Sequence, residues 1–267
     1  MDKYRIKPGE LFNLNKFDPD DTSQFSDGKK NGLTKLSELT QKLDVLQEIL
    51  FAEHKQKILI ILQAIDAGGK DGTIRSVFSG INPQGVQISS FKIPTDLEND
   101  HDYLWRIHQQ VPGKGELVVF NRSHYEDVLV VRVHNFVSEQ IWGKRYDQIN
   151  NFEQMLTEEG TTILKFFLYI SKDEQKLRLQ ERLDEPSKNW KFNPNDLKER
   201  ALWDEYIKAY EDVINKTSTP WAPWYVIPAN RNWYRNLCVS SVLVKTLEGL
   251  GMNYPIPASD LKNIIIT

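Results

Sequence analysis

The sequence predicts an α/β fold with a parallel sheet covered by helices on both faces, and three observations predict it. Five strand candidates alternate with stretches of helical periodicity. The first run opens into a glycine turn carrying a lysine, Ile65 to Thr73, and a helix-like segment follows it. At 267 residues and 40% hydrophobic content, the chain is long enough to bury one full core.

Taken in order, residues 1–32 are polar and read as an extended arm, with Asp18, Asp20 and Asp21 followed by Lys29 and Lys30. From Leu33 the residues Leu36, Leu39, Leu43, Leu46, Ile49 and Leu50 recur at helical spacing as far as about His54. The strand candidates are Lys57 to Ala64, Val86 to Phe91, Glu116 to Phe120, Thr162 to Ile170 and Trp224 to Pro228. Helical patterns at about 72–80, 96–110, 138–157 and 172–183 lie between them. A polar, aromatic segment from Asp184 to Thr219 interrupts the alternation and reads as an excursion over the C-terminal edge of the sheet. A last helix runs from about Asn232 to Glu248, with Gly249 and Gly251 as stop signals. The expectation is an arm over 1–32 and a single domain over 33–267, with a lid at about 178–219.

Composition excludes several function classes. A formal charge of −3, from 34 basic and 37 acidic residues, does not provide the broad basic field of a nucleic-acid or membrane-surface binder. Cys238 is the one cysteine, so neither an internal disulfide nor a cysteine-built metal site is expected, and a reducing cytoplasm is the expected compartment. The N-terminal residues contain no apolar stretch of signal-peptide type, and no run is long enough to span a membrane. His54, His101 and His108 stand alone and read as surface or core residues. Trp190, Trp203, Tyr206, Trp221 and Trp224 could stack on a base, although most aromatics in such chains fill the core, and none is assigned that role.

Three clusters bear chemistry. In the turn Asp66-Ala67-Gly68-Gly69-Lys70-Asp71-Gly72-Thr73, glycines admit an anion to the backbone and a helix N-terminus points at it, so the turn reads as a phosphate cradle. It departs from the usual P-loop, because Ala64 replaces the first glycine and Asp71 stands at the magnesium-binding hydroxyl position. Lys70 would reach phosphates, and Asp66 at the strand mouth suits magnesium. The second cluster, Asn121-Arg122-Ser123-His124-Tyr125-Glu126-Asp127, closes an apolar strand in the Walker B place, with Asn121 where aspartate is usual. Arg122, His124 and Arg132 are candidate cations there, and Glu126 or Asp127 candidate anionic ligands. Glu126 and Asp127 would equally serve as caps and His124 as a packed side chain. In the third, Arg178 and Arg182 share a helix face and suit phosphate oxygens, or else pair with Asp173, Glu174 or Glu181.

Taken together, the A-G-G-K-D-G-T turn, the Asn121–Asp127 block and the arginine-bearing segment resemble the family-2 polyphosphate kinases, from about Gly32 to Tyr254. Pro186-Ser187-Lys188-Asn189-Trp190-Lys191 resembles that family's lid signature, and Pro228-Ala229-Asn230-Arg231-Asn232-Trp233 its closing motif. The resemblance implies a three-layer α/β/α sandwich of the P-loop, thymidylate-kinase-like type, with a five-stranded parallel sheet and a helical lid. It implies phosphoryl transfer between inorganic polyphosphate and purine nucleotides with Mg2+, or Mn2+, in a homodimer or homotetramer.

Carried across, Asp66, Lys70, Arg122 and Arg178 are the expected catalytic residues, and Asp66 and Asp127 the metal ligands. Ala67, Gly68, Gly69, Asp71, Gly72, Thr73, Arg75, Asn121, His124, Glu126, Arg132, Arg182 and Lys188 are expected to contact phosphate or nucleotide. Many members have D-R-S-x-Y-N-R in the second block. Asn121 with Glu126 and Asp127 looks like the subgroup that accepts both nucleoside mono- and diphosphates. AMP and ADP are therefore the expected acceptors, with GMP and GDP as further ones. The alternatives are an ATP-dependent nucleoside monophosphate kinase of the same fold and a non-catalytic polyphosphate-binding protein.

Overall fold

The computed structural model describes residues 1–257 and residue 266, so the last part of the expected 33–267 domain lies outside the described residues. Helix α1 (Gly28–Glu53) begins five residues earlier than its apolar periodicity, and the arm therefore ends at 27. Strand β1 (Lys57–Gln63) leads through the glycine turn into α2 (Lys70–Phe78). Then come β2 (Val86–Ser90), α3 (Asp96–Asn99), α4 (Trp105–His108) and β3 (Leu117–Asn121). The single helix expected over 96–110 is thus two short ones. Thr95 and Glu98 close a capping box on α3, and the helix ends at Asn99.

A 3-10 turn (His124–Val128) follows β3, then α5 (Val130–Val133), α6 (Glu139–Glu158), β4 (Thr161–Tyr169) and α7 (Lys172–Asp184). Beyond a second 3-10 turn (Pro186–Lys191) lie α8 (Asn195–Ala201), α9 (Trp203–Thr217), β5 (Trp224–Pro228) and α10 (Asn232–Gly249).

All five strands are parallel, in the order β2-β3-β1-β4-β5. The register sets Ile58 of β1 beside Leu117 of β3 and Thr162 of β4. Burial on both faces explains why β1 reads as one continuous apolar run, Ile58 to Leu62, with no alternation. Helices α1, α2 and α10 form one layer, and α6 and α9 pack together on the other side with α6 against β4. The fold is α/β and P-loop kinase-like, as expected. Among the described residues no helix is long and apolar enough to cross a membrane.

The expected lid is reached by two corrections. Helix α9, inside the expected 178–219 segment, buries Trp203, Ile207, Tyr210, Val213 and Ile214, so it is a layer of the body. Arg178 lies in mid-α7, a helix that follows directly from β4. What projects over the sheet is the shorter stretch from the end of α7 through α8, where no residue of the second 3-10 turn or of α8 is buried.

One ionic cluster is sealed in the core. The Lys165 ammonium on β4 donates to Glu153 Oε2 (2.6 Å), Tyr125 Oη (2.9 Å) and the Thr217 carbonyl (2.7 Å). The Tyr125 hydroxyl donates to Glu153 Oε1, which His124 Nε2 also meets at 3.2 Å. Burial opposes the charge on Glu153, but Lys165 and His124 overcome it and hold the carboxyl below its ordinary value. The cluster ties the turn after β3 to α6 and β4, which fixes the segment bearing Arg122 and Glu126.

Candidate active site

The C-terminal ends of β1 and β3 open on a cleft of about 1080 Å³, in the place where ligands of open α/β sheets are held. The chain leaving β1 must turn sharply to start α2. It does so with Ala67 at φ 62° and Gly69 at φ 98°, left-handed conformations that only glycine adopts without cost. An alanine held at Ala67 stores strain on the order of 1 kcal/mol. The Thr73 hydroxyl, fully buried, donates back to the Gly69 carbonyl at 3.1 Å and so caps the turn from below; it faces no ligand space.

Asp66, Lys70, Arg122 and Glu126 come together at the head of this turn. Arg122 Nη2 lies 3.5 Å from Asp66 Oδ1, and Lys70 Nζ donates to the Ala64 carbonyl at 2.8 Å. Arg122 itself has φ 65°, so the chain kinks at the end of β3 and the guanidinium reaches across to β1's loop. Burial and the Arg122 charge push the Lys70 ammonium below its ordinary pKa, against Asp66, Glu126 and Asp71. Burial raises Glu126, opposed by Arg122 and Lys70. Burial works against the charge on Arg122, but Glu126 and Asp66 outweigh it. The four groups form one cluster of two cations and two carboxylates. Asn121 Nδ2 donates to Asp71 Oδ1 at 2.8 Å beside it, and Arg75 completes that wall of the cleft.

Other expected residues are placed elsewhere. His124 is fully buried against Glu153, because the 3-10 turn directs it into the core, and so it is no cation of the cleft. Asp127, expected as a metal ligand, accepts from Arg145 Nη1 at 2.9 Å and does not line the cleft. Arg132 is bound to Asp212 (2.6 Å) and the Tyr146 hydroxyl (2.9 Å), also outside the cleft. Arg178 lines the cleft, but its donors serve Glu174 Oε1 and the carbonyls of Ala67, Ala229 and Asn230. It straps the glycine turn to the end of β5. In the projecting segment Arg182 pairs with Asp196 at 3.0 Å, and Lys188 with Glu181 and Glu185; of these, Arg182, Asp196, Lys188 and Glu181 line the cleft.

Sequence reading missed Lys92 and Arg235, which also line the cleft, as do Trp190 and Lys191 of the expected lid signature and Asn232 of the expected closing motif. Lys92 sits just beyond β2 and carries no motif. Asn232 and Arg235 are three apart on α10, so the helix spacing after the Pro228–Trp233 stretch was a usable signal.

The glycine turn thus sits at the end of a parallel sheet, with Lys70 and Arg122 lining the cleft beside it. The family model described as Polyphosphate kinase 2 matches residues 26–253. The chain belongs to the polyphosphate kinase 2 family. It is thereby an enzyme of the phosphotransferase type. It is 62% identical over 266 residues to the AMP/ADP-polyphosphate phosphotransferase of Meiothermus ruber, with 100% of both chains covered. It is 45% identical to the ADP-polyphosphate phosphotransferase of Rhodopseudomonas palustris, covering 95% of this chain and 91% of that one. The crystal structure of polyphosphate kinase 2 from Arthrobacter aurescens TC1 superposes with a TM-score of 0.94 at 47% identity, covering 97% of this chain and 92% of that one.

Proposed function

We propose that this enzyme transfers the terminal phosphoryl group of inorganic polyphosphate to AMP and to ADP, reversibly, with GMP and GDP as further acceptors. The observation that carries the reading is the meeting of Lys70, Arg122, Asp66 and Glu126 at the glycine turn, beside a cleft of about 1080 Å³ whose lining carries further lysines and arginines. The acceptor is already a phosphate oxyanion, so the reaction needs no general base. Its barrier is the mutual repulsion of two polyanions and their alignment. Lys70 and Arg122 oppose that repulsion, and the backbone N–H groups at the start of α2 fix the phosphate against them. The strained backbone at Arg122 holds its guanidinium ready, so little reorganisation accompanies transfer.

The donor set fits Mg2+, with Mn2+ as a substitute. Asp66 and Asp71 both open on the cleft, and magnesium is commonly held by one or two carboxylates with phosphate oxygens and water. Asp66 would hold it with help from Asp71, and the bound ion would supply positive charge between the phosphate groups. The family resemblance supports a homodimer or homotetramer in the cytoplasm.

The test gives purified protein AMP or ADP with magnesium and either polyphosphate or ATP as the sole donor. Formation of ADP and then ATP from polyphosphate is expected. Product from AMP with ATP alone would make the chain an ATP-dependent monophosphate kinase instead, and binding of polyphosphate without product would make it a binding protein.

A further inference from the structure

Arg235, in the second turn of α10, is 2% exposed, and its surroundings differ from those of the other buried cations. Lys165 has Glu153, Arg106 has Glu98 at 3.7 Å and Arg178 has Glu174. Arg235 has side-chain amides only. Its Nε and Nη2 donate to Asn236 Oδ1 at 3.1 and 2.9 Å, and Nη1 to Asn232 Oδ1 at 2.7 Å, leaving two N–H groups of the guanidinium unassigned. A fixed positive charge in such a place costs several kcal/mol unless an anion answers it.

The guanidinium lies directly under the phosphate turn. A Cβ placed on Gly69 would come 2.0 Å from Arg235 Nη1, and one on Gly72 would come 3.3 Å from Nη2. The glycines there make room for the arginine as much as for a ligand. Arg235 also lines the cleft, next to the N-terminus of α2. Two independent features therefore face the same space, a nine-residue helix's N-terminus and a buried cation with donors to spare. Burial and the neighbouring Arg178 push Arg235 down to about 9.

We propose that Arg235 is a donor-binding residue that gives its free N–H groups to non-bridging oxygens of the polyphosphate chain seated on the start of α2. The assignment rests on the polyphosphate-dependent activity proposed above and adds to it the floor of the donor subsite. The same oxygen chemistry is presented by the phosphates of a nucleotide, so the two sources must be separated by experiment.

The variants are Arg235→Met, which keeps bulk without charge, and Arg235→Lys. Melting temperature is measured for each without ligand, with inorganic tripolyphosphate and with ADP, and KM is measured for polyphosphate and for ADP. Arg235→Met is expected to melt no lower than wild type without ligand, because it removes an uncompensated charge. It is expected to lose most of the tripolyphosphate-induced rise and to raise KM for polyphosphate about tenfold or more, with KM for ADP changed less than about twofold. Arg235→Lys keeps the charge without the fork and should fall between the two, and it carries the same readings should the methionine variant fail to fold. A full tripolyphosphate response in both variants overturns the assignment, as does loss of the ADP response with the tripolyphosphate response kept. A wild type unmoved by tripolyphosphate and unable to use polyphosphate overturns the activity reading itself, and this assignment with it.

Discussion

The Asn121 amide donates to the Asp71 carboxylate at 2.8 Å, so the two positions at which this chain departs from ordinary P-loop chemistry touch each other. One is amide where aspartate is usual, and the other is carboxylate where a hydroxyl is usual. Together they keep one negative charge at a place where the separate substitutions would give two or none.

Asn121→Asp sets two carboxylates at hydrogen-bond distance. One must then take up a proton or a cation. The variant is expected to melt lower than wild type in EDTA and to regain that loss in millimolar MgCl2, with its AMP and ADP kinetics altered unequally. Melting curves with and without magnesium check the first half, and equal effects on the two acceptors would remove Asn121 from acceptor choice.

Lys70→Ala should lower kcat/KM by roughly a hundredfold to ten-thousandfold, the loss expected when a cation facing developing charge is removed. Its side chain makes one bond, to the Ala64 carbonyl, and burial already disfavours its charge, so the melting temperature should fall little or not at all. A stable variant that retains near-native turnover would take Lys70 out of the mechanism.

Arg178→Ala deletes the bonds that hold the Ala67 carbonyl to Ala229 and Asn230, and it leaves Glu174 without its partner. A loss of about 2–4 kcal/mol of stability is expected, together with a drop in kcat and in kcat/KM. Arg178→Lys keeps charge but cannot span carbonyls on two segments, so it should recover less than half of either loss. Denaturant melts of both variants decide between a strap and a phosphate ligand, because a ligand would lose activity with stability intact.

Burial raises Asp127 to about 6, with Arg145 and Arg106 opposing. A carboxyl raised in the fold contributes stability that is complete below its unfolded value of 3.8 and is lost as pH rises through about 6. Wild-type stability should therefore fall, relative to Asp127→Asn, by on the order of 2 kcal/mol between pH 4 and pH 6.5 and run parallel to it outside that window. Urea midpoints of both proteins across that range are the measurement. Parallel curves throughout would mean that the Arg145 pair offsets the burial.

The strands and the cradle were legible because each leaves a local mark. Trp224 to Pro228 was placed to the residue, and the others within about one; the inner strands β1, β3 and β4 are largely apolar because they are buried on both faces, while β2, a mostly exposed edge strand, lacks that mark. The glycine turn was legible because glycine and lysine at that spacing have few other uses. Partnerships were not legible. Nothing in the local sequence says that Arg178 spends its donors on carbonyls fifty and more residues away, that Glu153 awaits His124, or that Asp127 goes to Arg145 while Glu126 comes under the charges of Arg122 and Lys70. Adjacent carboxylates in a 3-10 turn diverge in direction, and only the packing of α6 decides which is which. The lid was over-extended for a related reason, because the aromatic residues of α9 suit a base-stacking surface and a core face equally well in sequence.

The arm that begins the chain closes against its end. The Ile6 amide bonds to the Trp224 carbonyl, the Tyr4 hydroxyl meets that of Tyr234 at 2.7 Å, and Asp20 accepts from Asn230. Synthesis delivers these partners in the opposite order, the first residues emerging more than two hundred positions before the strand and helix that receive them. The arm cannot settle on the edge of β5, nor the Asn230 corner beside the glycine turn be set, until residues 224–234 have left the ribosome. Consolidation of this enzyme is thus a late event in the life of the nascent chain, and in the interval before it the arm's Tyr4 and Ile6, buried in the fold, are without their cover.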